Sequence, residues 1–193
     1  MSVWGFDQHQ ETYNQLVSAY SQKHRHYHTL EHIAACLKHV DICAAQMENP
    51  REVELALWFH DAIYEPFSAK NELTSAEWAS SFLVANGADS DAVTRVYQLI
   101  MATTHDSPIQ TQDESILVDI DLSILGADPH TYDLFEKAIR EEYKSVPLFI
   151  YKSKRAAVLR GFLERDRIYR HEPFFTEREQ QARRNLAKAV DNL

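Results

Sequence analysis

Between residues 29 and 48 the apolar side chains Leu30, Ile33, Leu37, Val40, Ala44 and Met47 recur at three- and four-residue spacing. That period draws one stripe along an amphipathic helix. Pro50 closes this helix and suits the first turn of the next, which runs through Val53, Ala56, Leu57, Trp58 and Phe59. Further helices are expected at 7–21, 72–86, 90–103, 114–125, 129–144, 147–169 and 176–191. The 72–86 helix is stopped by Asn86-Gly87, and Thr176 and Glu179 stand in capping-box spacing at the start of the last helix.

Residues 116–124 read two ways. Val118, Ile120, Leu122 and Ile124 alternate with Asp119, Asp121 and Ser123 as in a half-exposed strand. No other segment alternates, so a strand here has no partner and the stretch is read as helix. The chain is therefore expected to be all-α, a single-domain helical bundle over 1–193. No repeat, low-complexity tract or charged linker divides it, and its 4 Gly and 6 Pro in 193 residues fit few, long elements. The longer loops are expected at 64–71 and 104–113.

Several partner classes are excluded at this level. The opening MSVWGFDQHQ has neither a basic leader nor an apolar core region, and no apolar stretch approaches the roughly 20 residues of a membrane-spanning helix. A cytoplasmic protein without membrane partners is expected. Cys36 and Cys43, seven apart in one helix, are read as buried free thiols. The formal net charge of −9 disfavours long nucleic acid, whose binding rests on phosphate neutralisation. The charge is uneven: residues 1–110 hold 6 Lys/Arg against 14 Asp/Glu, whereas 144–170 hold 8 against 2. A local basic surface suits a small anion, and equally a solvated helix face.

Three segments carry chemistry. His60-Asp61 sits within Ala-Leu-Trp-Phe-His-Asp-Ala-Ile-Tyr, so apolar that both polar side chains are expected near the core. A buried ionised carboxylate without a partner costs several kcal/mol, and a divalent cation supplies the missing charge. Next, Arg25-His26-Tyr27-His28-Thr29-Leu30-Glu31-His32 opens the amphipathic helix, with His32 at the edge of the apolar stripe beside Cys36 and His28 four residues earlier. Last comes Leu117-Val118-Asp119-Ile120-Asp121-Leu122-Ser123-Ile124-Leu125. Asp121 has Leu117, Val118, Ile124 and Leu125 as helical neighbours while Asp119 has Ser115 and Ser123, so Asp121 is expected to be the buried carboxylate. Together these give two imidazoles and two carboxylates from three helices. Such a mixed set, completed by water, suits one divalent ion of Mn, Fe, Zn, Co or Mg without choosing among them.

The series His, His-Asp, Asp resembles the HD superfamily of metal-dependent phosphohydrolases, and most closely its small predicted phosphohydrolases. The resemblance is carried by Tyr27-His28-Thr29-Leu30-Glu31-His32, Trp58-Phe59-His60-Asp61-Ala62-Ile63-Tyr64 and Asp119-Ile120-Asp121-Leu122-Ser123-Ile124-Leu125-Gly126, and it covers about 25–170. It implies a helical bundle with His32, His60, Asp61 and Asp121 as metal ligands, and hydrolysis of a small phosphorylated metabolite or nucleotide by a metal-activated water. His105, in Thr103-Thr104-His105-Asp106, is the one well-placed candidate for a second metal. Asp61 would orient the water as well as ligate, and Glu65 or Glu72 would act as general acid. Arg25, His28, Lys154 and Arg155 are the candidates for the substrate phosphate. A homodimer is the expected assembly of a small cytoplasmic enzyme.

Two other classes fit parts of the sequence. His28-Thr29-Leu30-Glu31-His32 also spells H-x-x-E-H, the inverted zinc-peptidase motif, but that reading leaves His60-Asp61 and Asp121 unexplained. A non-catalytic domain binding a nucleotide or a protein is the other alternative, separated from an enzyme by metal-dependent turnover of a phosphate ester.

Overall fold

The computed structural model describes residues 9–105 and 108–193. Among the described residues it is all-α, with helices α1 Gln10–Tyr20, α2 Leu30–Cys43, α3 Pro50–Phe59, α4 Asn71–Ala85, α5 Ser90–Ala102, α6 Gln112–Asp121, α7 Pro129–Glu142, α8 Leu148–Leu163 and α9 Phe174–Asn192. Short 3-10 turns follow α2 at Ala44–Gln46 and α6 at Leu122–Gly126. The alternating stretch 116–124 is helical, as read from the lack of a partner strand. No helix among the described residues is long and apolar enough to cross a membrane. Residues 7 and 8, where the first helix was expected to begin, lie outside the described residues.

By its contacts the chain divides into two compact units, Met1–Ile120 and Asp121–Leu193. In the first, α3 packs against α2, α4 and α5. Its inward residues Val53, Ala56, Leu57 and Phe59 are wholly buried, and burying each large side chain of this kind stabilises the fold by about 1.5–3 kcal/mol. Phe59 meets Trp78 edge to face at 5.4 Å between ring centroids. The start of α3 is fixed from α6: the Asp113 carboxylate accepts from the backbone N–H groups of Glu48 and Asn49, both at 2.8 Å.

Helix α6 is buried at every position from Asp113 to Ile120. It opens with a reciprocal cap: Thr111 Oγ1 accepts from the N–H of Glu114 at 3.1 Å, and the Glu114 carboxylate accepts from the N–H groups of Gln110 and Thr111. The Thr-x-x-Glu signal at 111–114 thus starts this helix earlier than the apolar pattern suggests. The similar signal at Thr176 and Glu179 does not make a cap. Helix α9 starts at Phe174, and the Glu179 carboxylate instead accepts from the N–H groups of Ile168 and Tyr169 and pairs with Arg183.

That pairing also shortens α8, expected to reach residue 169 but ending at Leu163. Arg183 donates to the carbonyls of Leu163, Arg165 and Asp166, so groups that would continue the helix are satisfied by a side chain of α9. Within this second unit Asn185 donates to the carbonyls of Leu125 and Ala127, each at 2.8 Å. The Tyr169 hydroxyl donates to the Leu122 carbonyl at 2.9 Å. Gly126 lies so close to α9 that a Cβ there would stand 2.5 Å from Arg178 Cβ and 2.8 Å from its carbonyl oxygen.

Candidate metal centre

His32 lies in the first turn of α2, behind the Thr29 cap whose hydroxyl accepts from the N–H of Glu31. His60 is the residue at which α3 ends, and Asp61 follows in the turn. Asp121 is the last residue of α6. These local placements bring one donor atom each of His32, His60 and Asp121 within 4.8 Å of one another, a grouping that can hold a metal ion. Asp61, expected as the fourth ligand, is not in that grouping, but its Oδ2 stands 3.0 Å from His60 Nε2 and 3.7 Å from His32 Nε2. The two Nε2 atoms are 3.3 Å apart.

The tautomer of His60 follows from one contact. Its Nδ1 is 2.8 Å from the carbonyl oxygen of Leu57, which can only accept, so Nδ1 carries a proton and Nε2 is the nitrogen turned toward the cluster. Burial disfavours the charged form of Asp61, yet the imidazoles of His60, His28 and His32 outweigh it and hold the carboxyl well below the usual carboxylate range. Imidazole nitrogens and a carboxylate oxygen thus converge, and this donor set fits a divalent cation with mixed N/O preference.

Two expectations about depth are reversed. Asp119, not Asp121, is the fully buried carboxylate at 1% exposure, while Asp121 is half-buried. Neighbours along one helix report only that helix's own stripe, whereas α6 is enclosed on all sides through Ile120, so the serines flanking Asp119 are buried as well. Asp119 lies near Cys43, whose thiol is pushed up by burial and by that carboxylate.

The remaining candidates divide. His28 is half-buried, stacks on Tyr64 at 4.2 Å between centroids and meets His32 edge-on at 6.2 Å. Glu65 is exposed on the loop after Asp61, its backbone tied in both directions to the Asn71 side chain. Glu72 is half-buried in the first turn of α4. Arg25 does not present its guanidinium to a ligand: it is 5% exposed and donates to Gln22 and to the carbonyls of His28, Asp61 and Ala62. The Arg155 fork is likewise engaged, two-pronged on Glu136 at 2.6 and 3.2 Å, and Lys154 is exposed on α8. His105 takes a left-handed backbone conformation with φ of 60° and is not in the grouping of donors. Its motif neighbour Asp106 lies outside the described residues.

The H-x-x-E-H reading needs both histidines four apart on one helix. Helix α2 begins at Leu30, so His28 precedes it, and the exposed Glu31 is held by the Thr29 hydroxyl at 3.1 Å. Cys36, one turn beyond His32, sits 3.7 Å from both ring nitrogens of that histidine. Equal distances place the sulfur beside the ring and not along either nitrogen's lone pair. No family model, curated protein or solved structure matches the chain.

Proposed function

We propose that this chain is a metal-dependent phosphohydrolase of the HD type, acting on a phosphate ester of a small metabolite or nucleotide. The observation that carries the reading is the convergence of His32, His60 and Asp121 with the Asp61 carboxylate against both histidines. A divalent ion held there would supply a water of lowered pKa and charge stabilisation for a phosphoryl oxygen.

The protein's own groups do the rest. The Leu57 carbonyl holds His60 in one tautomer, and Asp61 stays ionised beside both imidazoles, ready to orient a water as well as to ligate. His28, half-buried on the Tyr64 ring, is the side chain best placed to meet a substrate oxygen. Glu65, on a loop whose backbone Asn71 fixes, and Glu72, in the first turn of α4, are the candidates to protonate the leaving oxygen. With the Arg25 and Arg155 donors engaged within the protein, His28 and Lys154 remain the candidates for the substrate phosphate. Cytoplasmic location and a homodimer belong to the same proposal.

The test is to purify the protein without chelator, quantify bound metals, and assay phosphate release from phosphomonoesters and diesters with Asp61→Ala beside the wild type. One stoichiometric divalent metal and turnover lost in the variant support the reading. Absence of metal and of turnover after Mn²⁺, Fe²⁺, Zn²⁺ or Mg²⁺ is supplied would leave a binding domain that keeps the ligands without the chemistry.

A further inference from the structure

We propose that Arg25 is a positioning residue for the metal ligands, a clamp that joins the segment leading into His32 to the turn that carries His60 and Asp61. The inference rests on the metal-site reading above and deepens it.

Guanidinium presents five N–H donors in a fixed plane, and here three chain segments meet that fork. Nε donates to Gln22 Oε1 at 3.1 Å, just beyond α1. One terminal nitrogen donates to the His28 carbonyl at 3.1 Å and to the Asp61 carbonyl at 2.7 Å, and the other to the Ala62 carbonyl at 3.0 Å. The rings of Tyr20 and Tyr64 lie 5.1 and 5.3 Å from the guanidinium carbon. Tyr20 is itself fastened to α3, its hydroxyl donating to the Trp58 carbonyl at 3.0 Å. One planar cation therefore fixes the carbonyl of Asp61 relative to the carbonyl of His28, across 33 residues of sequence.

This arrangement sets the distance between donors. Asp61 and His60 are adjacent, so fixing the Asp61 and Ala62 carbonyls fixes the end of α3, and fixing the His28 carbonyl fixes the approach to α2. A metal site needs its donors held to about 0.5 Å. A lysine supplies the same charge as a point with three rotating donors and cannot span these acceptors in one plane.

Charge and geometry make opposite predictions. A cation beside a metal site repels the metal, so removing its charge alone would tighten binding. Loss of a clamp weakens binding whether or not the charge remains. Titration calorimetry with Mn²⁺ or Zn²⁺ alone, on wild type, Arg25→Lys and Arg25→Gln, separates these. The expected result is metal affinity reduced by about 10- to 100-fold in both variants, the range for losing a group that orients ligands. Affinity retained in Arg25→Lys, or tightened in Arg25→Gln, overturns the inference while leaving the metal site standing. Wild type that takes up no metal overturns the site itself and the inference with it. Should either Arg25 variant unfold, Gln22→Met decides, since Gln22 is exposed and anchors only Nε. Weaker metal binding by threefold or more at an unchanged Tm supports the clamp, and unchanged affinity refutes it.

Discussion

His32 Nε2 and His60 Nε2 face each other at 3.3 Å. Two neutral imidazoles cannot rest lone pair to lone pair unless a proton or a metal ion lies between them or the rings move apart. A divalent ion held there would accept a lone pair from each ring, which makes both imidazoles necessary to the candidate site. His32→Asn and His60→Asn should each weaken Mn²⁺ binding by about 10-fold or more, at least the loss seen for a group that orients ligands. Competition with a fluorescent chelator measures this. Unchanged affinity in either variant would remove that ring from the site.

Cys36 bears on which metal chemistry the site supports. Its sulfur is equally far from both nitrogens of His32, a geometry for packing and not for ligation. Substitution Cys36→Ser should change metal affinity by less than about threefold, well short of the 10- to 100-fold of a ligand-orienting group. The Co²⁺-loaded protein should also lack the intense near-ultraviolet absorption of a thiolate ligand. Appearance of that band, and its loss in the serine variant, would place sulfur in the coordination sphere.

Gly126 is a packing requirement of the second unit. An alanine methyl would meet the backbone of Arg178 at distances that real Cβ atoms do not adopt, so the 3-10 turn and α9 must separate. Gly126→Ala should destabilise by about 1–3 kcal/mol, the usual cost of overpacking, read as a lower urea midpoint. An unchanged midpoint would mean that α9 yields freely there.

Much of this was legible in the sequence because the apolar period of each helix records which of its own faces is inward. What stayed hidden depends on other helices. The depth of Asp119 comes from enclosure of α6 on every side, which neighbours at i±3 and i±4 do not encode. Arg25 carries a motif position that reads as phosphate binding, yet its acceptors are backbone carbonyls 36 and 37 residues away. Likewise the two Thr-x-x-Glu signals are alike in sequence; only at 111–114 does the glutamate turn back to its threonine, because Glu179 is drawn to Ile168, Tyr169 and Arg183.

Acid stability should respond at two caps. Asp89 accepts from the N–H of Ala92 at the start of α5, and Asp128 accepts from the N–H groups of His130 and Thr131 at the start of α7. Each carboxyl is lowered, Asp89 chiefly by its backbone hydrogen bond and Asp128 chiefly by the Thr131 hydroxyl. A folded-state pKa below the unfolded value contributes stability above the unfolded pKa, about 3.9, and loses it as pH falls through the folded value. Asp89→Ala and Asp128→Ala should therefore lower the urea midpoint at pH 7, and the gap to wild type should narrow at pH 3. A gap that persists undiminished would assign the loss to something other than the ionised cap.

His60 and Asp61 are consecutive residues at the end of one ten-residue helix, whose opposite end is pinned by Asp113. An α-helix turns about 100° and rises about 1.5 Å per residue. Inserting or deleting a single residue between Pro50 and Phe59 would swing His60 and Asp61 together out of phase with His32 and Asp121, dismantling the site while sparing much of the helix. The loop at 64–70 has no such phase to keep. Lineages that preserve the chemistry should thus vary in length after Asp61 and hold the interval from Pro50 to His60 constant.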